Sequence, residues 1–137
     1  MAKLNPYLNF SGMQCREAMN FYRECLGGEL TLQQVSEMPE MAAMMPPEYK
    51  DHIIHATLVS GDMVLMASDL VRGEPVQGNM GSVIINCDDE AQITAFFEKL
   101  AAGGKVIQPL ADMPWGARYG ELTDKFGKDW SLNWQRG

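Results

Sequence analysis

The sequence has no apolar run of the roughly 18 residues that a membrane-spanning helix requires. Its opening residues 1–6 also lack the apolar core of a secretory signal peptide. Basic residues are scattered, and 11 lysines and arginines against 18 aspartates and glutamates give a net charge of −7. Nucleic acids and anionic membranes would repel such a chain. We therefore expect a cytoplasmic protein that has neither nucleic acid nor membrane as a partner.

Cysteine is scarce, and its spacing argues against a disulfide. Cys15 and Cys25 fall on one predicted helix, ten residues apart in the sequence. That spacing corresponds to about 15 Å of helix rise, which is too far for a disulfide. Cys87 stands alone at a predicted strand end, and neither a histidine nor a CxxC partner lies beside any of the three. The pattern predicts small buried thiols in a reducing compartment.

What the sequence does contain is an internal repeat. In each half a strand-like run leads into a helical run with paired aromatics, then a glycine pair, then further strand-like runs. The aromatic pairs start at Phe21 and Phe96, 75 residues apart, and the glycine pairs start at Gly27 and Gly103, 76 apart. Each half closes with a hairpin-like pair of strands, around Gly61 in one and Gly127 in the other. The repeat predicts two βαβββ modules, residues 4–70 and 80–135, within a single domain.

Local signals mark the ends of both predicted helices. Residues 11–14 and 89–92 each match the capping pattern, in which an N-cap side chain and a glutamine three residues later satisfy the first backbone amides. Glycine pairs then stop each helix. Between these signals, apolar residues recur at three- and four-residue spacing and predict one buried stripe per helix. The stripes are Ala18, Phe21, Tyr22, Cys25 and Leu26, and Ile93, Phe96, Phe97 and Leu100.

The first module is longer by about ten residues, which we assign to segment 36–48. This segment has prolines along it and contains four methionines, so it is a poor strand and forms at most one or two helical turns. Methionine fits varied apolar shapes, which suits an adaptable lid over a ligand pocket. The same residues suit a surface loop that fills a gap or a subunit interface. The sequence leaves both interpretations open.

The repeat resembles the vicinal oxygen chelate superfamily, which includes glyoxalase I, extradiol dioxygenases, and fosfomycin and bleomycin resistance proteins. Finer motifs resemble its PhnB-like branch, and the resemblance runs from residue 4 to residue 135. These motifs are NPYLNFSG at 5–12, AMNFY at 18–22, LGGE at 26–29, HA at 55–56, MASD at 66–69, and YGELTDKFG at 119–127 with Trp130 and Asn133.

The resemblance implies an α+β fold in which the curved sheets of two tandem βαβββ modules form an open half-barrel cup with the helices outside. Such a cup exposes strand edges and apolar surface, so we expect a homodimer. PhnB-like proteins are often labelled "3-demethylubiquinone 3-methyltransferase-like". Here no strand is followed by the glycine-rich turn that a nucleotide-binding domain needs, so we do not expect methyl transfer.

The resemblance also identifies the positions at which the superfamily's metalloenzymes bind a divalent ion. In this chain they are Asn5, Met66, Ser82 and Ser131. An amide, a thioether and two hydroxyls are poor ligands for ions that prefer carboxylate, imidazole or thiolate. The two histidines, His52 and His55, lie on a β-rich run, where their spacing directs them to opposite sides. We expect His52 to face solvent, and we expect neither a metal nor another cofactor.

Polar and aromatic side chains remain as candidates for a ligand pocket. Tyr119 and Glu121 share one face of a predicted strand, and His55 and Thr57 occupy the matching face of its repeat partner. A histidine and a carboxylate in an aromatic-walled site could bind a ligand or transfer a proton. In the structural alternative, Glu121 pairs with an arginine such as Arg118, His55 bonds to backbone and the tryptophans fill the core. The candidates are Asn9, His55, Asp69, Trp115, Tyr119, Glu121 and Trp130.

The expected function is binding of a small molecule without a catalytic metal, as in the bleomycin-sequestering members of the superfamily. A metal-dependent lyase, isomerase or dioxygenase of the glyoxalase type is the alternative. A further alternative, an accessory role in phosphonate metabolism, calls for clustered cations, whereas the arginines at 16, 23, 72 and 118 are dispersed. The sequence decides neither the ligand, nor whether catalysis remains, nor whether the cup forms within one chain or across two.

Overall fold

The chain forms two tandem modules of the predicted kind. The structure, a computed structural model, describes residues 2–70 and 73–136, so Arg72 lies outside the described residues. Two compact units are present, Met1–Pro75 and Val76–Gly137. Each unit contains one open, mixed, four-stranded sheet, which confirms the α+β class and the βαβββ repeat. Within the described ranges, no helix has the length and apolar character that crossing a membrane requires.

The first unit carries its sheet in the order β1-β4-β3-β2. Strand β1 is parallel to β4, and the other pairs are antiparallel. Helix α1 packs on β2, β3 and β4, and it buries Ala18, Tyr22, Cys25 and Leu26 of the predicted stripe. The elements are β1 (Tyr7–Asn9), α1 (Cys15–Leu26), β2 (Glu29–Gln34), the short α2 (Pro39–Met44), β3 (Ile53–Ser60) and β4 (Met63–Ser68).

The second unit repeats this arrangement with the strand order β5-β8-β7-β6, and β5 is parallel to β8. Helix α3 packs on β6, β7 and β8, and it buries Ile93, Phe97 and Leu100. The elements are β5 (Val83–Asn86), α3 (Glu90–Ala101), β6 (Lys105–Asp112), β7 (Ala117–Thr123) and β8 (Asp129–Gln135).

Strand register extends the repeat to single residues. Thr57 lies opposite Met66 in the first sheet, and Glu121 lies opposite Ser131 in the second. Each glycine pair is followed by a residue that lies opposite Val59 in one sheet and Thr123 in the other. Counting two residues back along β3 and β7 makes Thr57 equivalent to Glu121, and their partners Met66 and Ser131 are therefore equivalent too. Side chains alternate between the two faces of a strand. The face of β3 that carries His55 and Thr57 therefore corresponds to the face of β7 that carries Tyr119 and Glu121, as predicted.

The two main helices begin differently. At α3, the N-cap Asp89 accepts the Gln92 N–H through Oδ1 at 2.8 Å, which confirms the predicted cap. The Gln92 side chain reaches back one residue further than expected, to the Asp88 N–H at 2.7 Å.

At α1 the predicted capping box is wrong. The helix starts at Cys15, and its N-cap residue Gln14 makes no capping hydrogen bond. The Cys15 N–H instead donates to Asp69 Oδ1 at 2.8 Å, from the far end of the module. Gly12 and Met13 both have positive φ angles, so the chain between Ser11 and the helix does not follow the path of a capping box.

Segment 36–48 has little regular structure, as predicted. It contains the six-residue helix α2, flanked by single 3₁₀ turns at Val35–Glu37 and Pro47–Tyr49. Met44 is 80% exposed, so it does not fill a gap within this unit.

All three cysteines are buried, as predicted. Burial is the main cause that raises the pKa of the Cys15 thiol to about 12 and that of Cys87 to about 11, from an ordinary 9.0. A thiol whose pKa is higher in the folded state contributes its full stabilisation below pH 9, and that stabilisation is lost as the pH rises through the folded pKa.

We therefore expect the native protein at pH 8 to react slowly with Ellman's reagent, while the denatured protein reacts at all three thiols. The free energy of unfolding should also fall between pH 8 and pH 10.5 in denaturant titrations. A Cys15→Ala, Cys87→Ala double variant should show a smaller fall over the same interval. Rapid labelling of the native protein would contradict this prediction.

Candidate functional site

The second unit has an open cavity of about 580 Å³ against its sheet. A Cβ at Gly120 would come within 2.7 Å of Phe97 in α3, so Gly120 faces the helix. The alternate residues Tyr119 and Glu121 therefore face the other side of the sheet. The cavity lies on this helix-free face, with residues 79–82 and Ile107 completing its wall.

Two hydrogen-bonded pairs of side chains lie in the cavity wall. The Tyr119 hydroxyl donates to Glu121 Oε2 at 3.1 Å, and Thr123 Oγ1 donates to Asp129 Oδ1 at 2.7 Å. Each carboxylate thus has one oxygen bonded to a hydroxyl. Within residues 2–70 and 73–136, the second oxygen of each accepts no hydrogen bond.

Ser131 is the most buried polar residue of this wall. It lies opposite Glu121 in the β7–β8 register, lines the cavity and is only 8% exposed. Its hydroxyl finds no hydrogen-bond partner in the described part of the chain. Among the described residues the Ser131 oxygen is not one of the fully buried unpartnered atoms, so it is accessible from the cavity and can form a hydrogen bond with a ligand group.

The corresponding face of the first sheet carries an imidazole held between two hydroxyls. His55 Nδ1 lies 3.5 Å from the Tyr7 hydroxyl, and His55 Nε2 lies 3.0 Å from Thr57 Oγ1. Hydroxyls can donate or accept, so both ring nitrogens keep a partner in either tautomer. The structural alternative in which His55 bonds to backbone is therefore wrong, because its partners are side chains.

Asp69 and Trp130 are the two buried members of the seven candidate residues. Asp69 is 6% exposed, and its carboxylate accepts the backbone N–H groups of Cys15 and Ile53, both at 2.8 Å. Trp130 is 2% exposed and donates Nε1–H to Asp124 Oδ2 at 2.8 Å, although part of it also reaches the cavity wall.

The seven candidates are distributed between the two units. Tyr119 and Glu121 line the cavity of the second unit with Trp130, whereas Asn9, His55 and Asp69 belong to the first unit. Trp115 is 63% exposed in the turn before β7 and does not line this cavity, so it does not fill the core. That any of the seven contacts a ligand stays a prediction.

The structural alternative in which Glu121 pairs with an arginine such as Arg118 is also wrong for the described residues. Arg118 Nη1 lies 3.3 Å from Asp112 Oδ1, and Arg136 joins the same carboxylate. Hydrogen bonds from the two arginines lower the pKa of Asp112. Glu121 is left with Tyr119 as its hydrogen-bonding partner.

Sequence reasoning missed Asp129 and Thr123, and it considered Ser82 and Ser131 only as metal positions. The alternation of Asp129 and Ser131 along β8 was available as a signal. It becomes informative only when the register with β7 is known, because that register places both residues on the face of Glu121.

The first unit has a smaller cavity of about 380 Å³, walled in part by Met45, Tyr49 and His52. The rings of Tyr49 and His52 lie 4.7 Å apart, and His52 Nδ1 is buried. His52 is thus partly covered rather than solvent-facing as expected. Met45 of segment 36–48 lines this cavity, as a lid over a pocket would. Met44 of the same segment is exposed, as in a surface loop.

The residues present do not fit the metal that the superfamily's enzymes use. Across the described residues, no three histidine, cysteine, aspartate or glutamate side chains form a group that could hold an ion. Met66 and Ser131 occupy equivalent positions in their sheets. The first supplies a thioether and the second a hydroxyl, which are weak donors for a divalent ion.

Comparisons with known proteins agree with this fold. A family model described as "Glyoxalase/Bleomycin resistance protein/Dioxygenase superfamily" matches residues 6–132. Protein YjdN of Escherichia coli strain K12 is 30% identical over 142 residues, which cover 95% of this chain and 93% of that protein.

Two solved structures are similar over almost the whole chain. The crystal structure of PA1353 from Pseudomonas aeruginosa has 38% identity and a TM-score of 0.85, with 100% of both chains covered. A Bacillus cereus structure described as a putative 3-demethylubiquinone-9 3-methyltransferase, PhnB protein, has 28% identity and a TM-score of 0.74, with 97% of this chain and 99% of that chain covered.

Proposed function

Because the chain belongs to the glyoxalase/bleomycin resistance protein/dioxygenase superfamily, as its motifs predict, we propose that it binds a small organic molecule in the cavity of its second unit. The observation that carries this proposal is the cavity of about 580 Å³ whose wall contains the unpartnered Ser131 hydroxyl. Ligand pockets typically measure about 300–1,000 Å³ and combine apolar walls with a few polar groups.

Binding without a resident divalent metal is part of the proposal. The amide, thioether and hydroxyls at Asn5, Met66, Ser82 and Ser131 support it, because they are poor ligands for such an ion. The methyltransferase activity named for the B. cereus relative is not included, since no strand of the described residues leads into a glycine-rich nucleotide-binding turn.

A homodimer is a second part of the proposal. Strands β5 and β6 are the edges of their sheet, and Ile84, Val106 and Ile107 on them are about half exposed. Exposed apolar edge strands favour pairing with another chain. Light scattering on the purified protein should give twice the chain mass of 15.3 kDa, and a monomer at micromolar concentration would contradict this part.

The binding proposal is tested by filling the cavity. We expect a Ser131→Phe variant to keep its fold, because the ring enters open space, and to lose at least tenfold in affinity for whichever compound saturates the wild-type protein. Isothermal titration calorimetry against a panel of metabolites and antibiotics supplies the affinities, and circular dichroism checks the fold.

Glu98→Phe is the control for this variant. Glu98 is exposed on α3, on the other side of the sheet from the cavity, so the substitution adds the same ring without entering the site. Wild-type affinity in a folded Ser131→Phe variant would contradict the proposed location, and a panel without any saturable binder would contradict the proposed function.

A further inference from the structure

We infer that the ligand bound in the second unit is an organic cation, an amine or guanidinium carried on a small apolar body. This inference rests on the proposed binding function and adds the charge of the ligand. It is carried by two carboxylates and the hydroxyl of the largely buried Ser131, all on the same face of β7 and β8.

The two carboxylates are close neighbours. Glu121 lies opposite Ser131, and Asp129 lies opposite Thr123 two rungs further along the β7–β8 ladder, on the same face. Glu121 and Asp129 are thus diagonal neighbours, a relation that separates side chains by about 7–8 Å. Both are partly buried and both line the cavity. Like charges at this spacing repel each other, and a bound cation would offset the repulsion.

Within the described part of the chain, no lysine, arginine or histidine side chain takes this role. Among the described lining residues of the cavity there is no lysine, arginine or histidine. The ion pairs of this unit's arginines are to Asp112, and Lys128 interacts with Asp124. Lys105 lies opposite Thr123 on the edge strand β6, but it is exposed, lies outside the cavity wall and forms no ion pair with Asp129 in the described structure.

The unused hydrogen-bonding positions match a donor-rich ligand. Glu121 and Asp129 each retain one carboxylate oxygen with no donor from the described residues. Ser131, opposite Glu121 in the register, adds a hydroxyl to the same cavity wall. Hydrogen bonds from a cationic N–H group to a carboxylate are stronger than neutral ones. The Tyr119 ring offers a face for cation–π contact, and Ile107 and Met80 supply apolar wall.

The same groups disfavour an anion. A phosphonate or carboxylate ligand would meet two carboxylates without a lysine or arginine from the described cavity wall to balance it. The charges of the cavity wall therefore disfavour a phosphonate ligand, and with it the phosphonate-accessory alternative, and they favour a positively charged ligand.

The experiment compares probes of similar shape and different charge. Benzylamine, benzyl alcohol and benzoate are titrated into the full-length protein, with calcium chloride alone as a fourth probe. Binding is followed by ¹H–¹⁵N NMR shifts of the Glu121, Asp129 and Ser131 amides. We expect benzylamine to bind at least tenfold more tightly than benzyl alcohol, and benzoate to bind most weakly.

Charge-neutralising variants test whether Glu121 and Asp129 cause the preference for benzylamine over benzyl alcohol. Glu121→Gln and Asp129→Asn should each lower the affinity for benzylamine about fivefold or more, and the double variant should bind amine and alcohol equally. Glu98→Gln removes one exposed carboxylate outside the cavity and should leave the affinity unchanged. Thermal melting confirms that each variant is folded.

The outcomes separate the two proposals. If benzyl alcohol binds as well as benzylamine, or benzoate binds better, the cation inference is overturned while the proposed function stands. If calcium alone shifts the cavity amides, the site is inorganic and the inference is overturned. If no probe shifts them at millimolar concentration, the proposed function itself is contradicted.

Discussion

Replacing Gly28 or Gly104 with alanine is expected to destabilise the protein by about 3 kcal/mol or more, which is at the upper end of the effects of overpacking. A Cβ at Gly28 would lie 2.2 Å from the Val59 carbonyl oxygen, and one at Gly104 would lie 2.3 Å from that of Thr123. Both obstacles are backbone atoms of a central strand, so no side-chain rotation relieves the clash. Gly28 also has a φ of +96°, which alanine adopts at a further cost.

Denaturant titration monitored by circular dichroism measures this effect. Gly78→Ala is the matched control, because a Cβ there meets nothing within 4 Å and its φ is not positive. We expect the control to lie within about 0.5 kcal/mol of the wild type. A Gly28→Ala or Gly104→Ala variant with the stability of the control would show that β2 or β6 can move away from its neighbour without cost.

These glycines show which part of the fold was predictable from the sequence. The pairs at 27–28 and 103–104 were interpreted as helix stops, and the first member of each has the positive φ of a helix terminus, 79° and 76°. The second member is needed for a different reason, the close approach of a carbonyl group from β3 or β7. Nothing in the local pattern specifies that contact, because it depends on the pairing of strands distant in sequence.

The candidate site also contains residues that local sequence rules predict and residues that only strand pairing brings together. Tyr119 and Glu121 were predicted to share a face because side chains alternate along a strand, and this local rule was sufficient to bring them together. Asp129 and Ser131 join them only through the β7–β8 register. Register is set by tertiary packing and by the turn at residues 124–128, so a period-two pattern on one strand does not reveal it.

Asp69 illustrates a polar residue whose role depends on long-range contacts. Its position after a strand, in a motif shared with the PhnB-like branch, suggested a pocket residue. Asp69 does line the smaller cavity of the first unit, and its carboxylate also joins two backbone amides, one at the start of α1 and one at the start of β3. It also takes the place of the side-chain cap that Ser11 was expected to provide, and its negative charge is favourable at the N-terminus of a helix.

We therefore expect Asp69→Ala to lower the free energy of unfolding by about 4 kcal/mol, because it leaves two buried N–H groups without partners at about 1–3 kcal/mol each. Asp69→Asn should lose less, since its one amide oxygen still accepts a hydrogen bond. Asp51→Ala removes an exposed carboxylate of the same unit and should change stability little. Denaturant titration supplies the three values.

Native-state hydrogen exchange then distinguishes the loss of these two hydrogen bonds of Asp69 from a general loss of packing. In Asp69→Asn, exchange at the Cys15 and Ile53 amides should accelerate more than at Leu58, whose amide lies in the centre of the sheet. Equal acceleration at all three amides would mean that the carboxylate stabilises the unit as a whole. Unchanged exchange at Cys15 and Ile53 would mean that water replaces the carboxylate, and the attribution of stability to these two hydrogen bonds would be wrong.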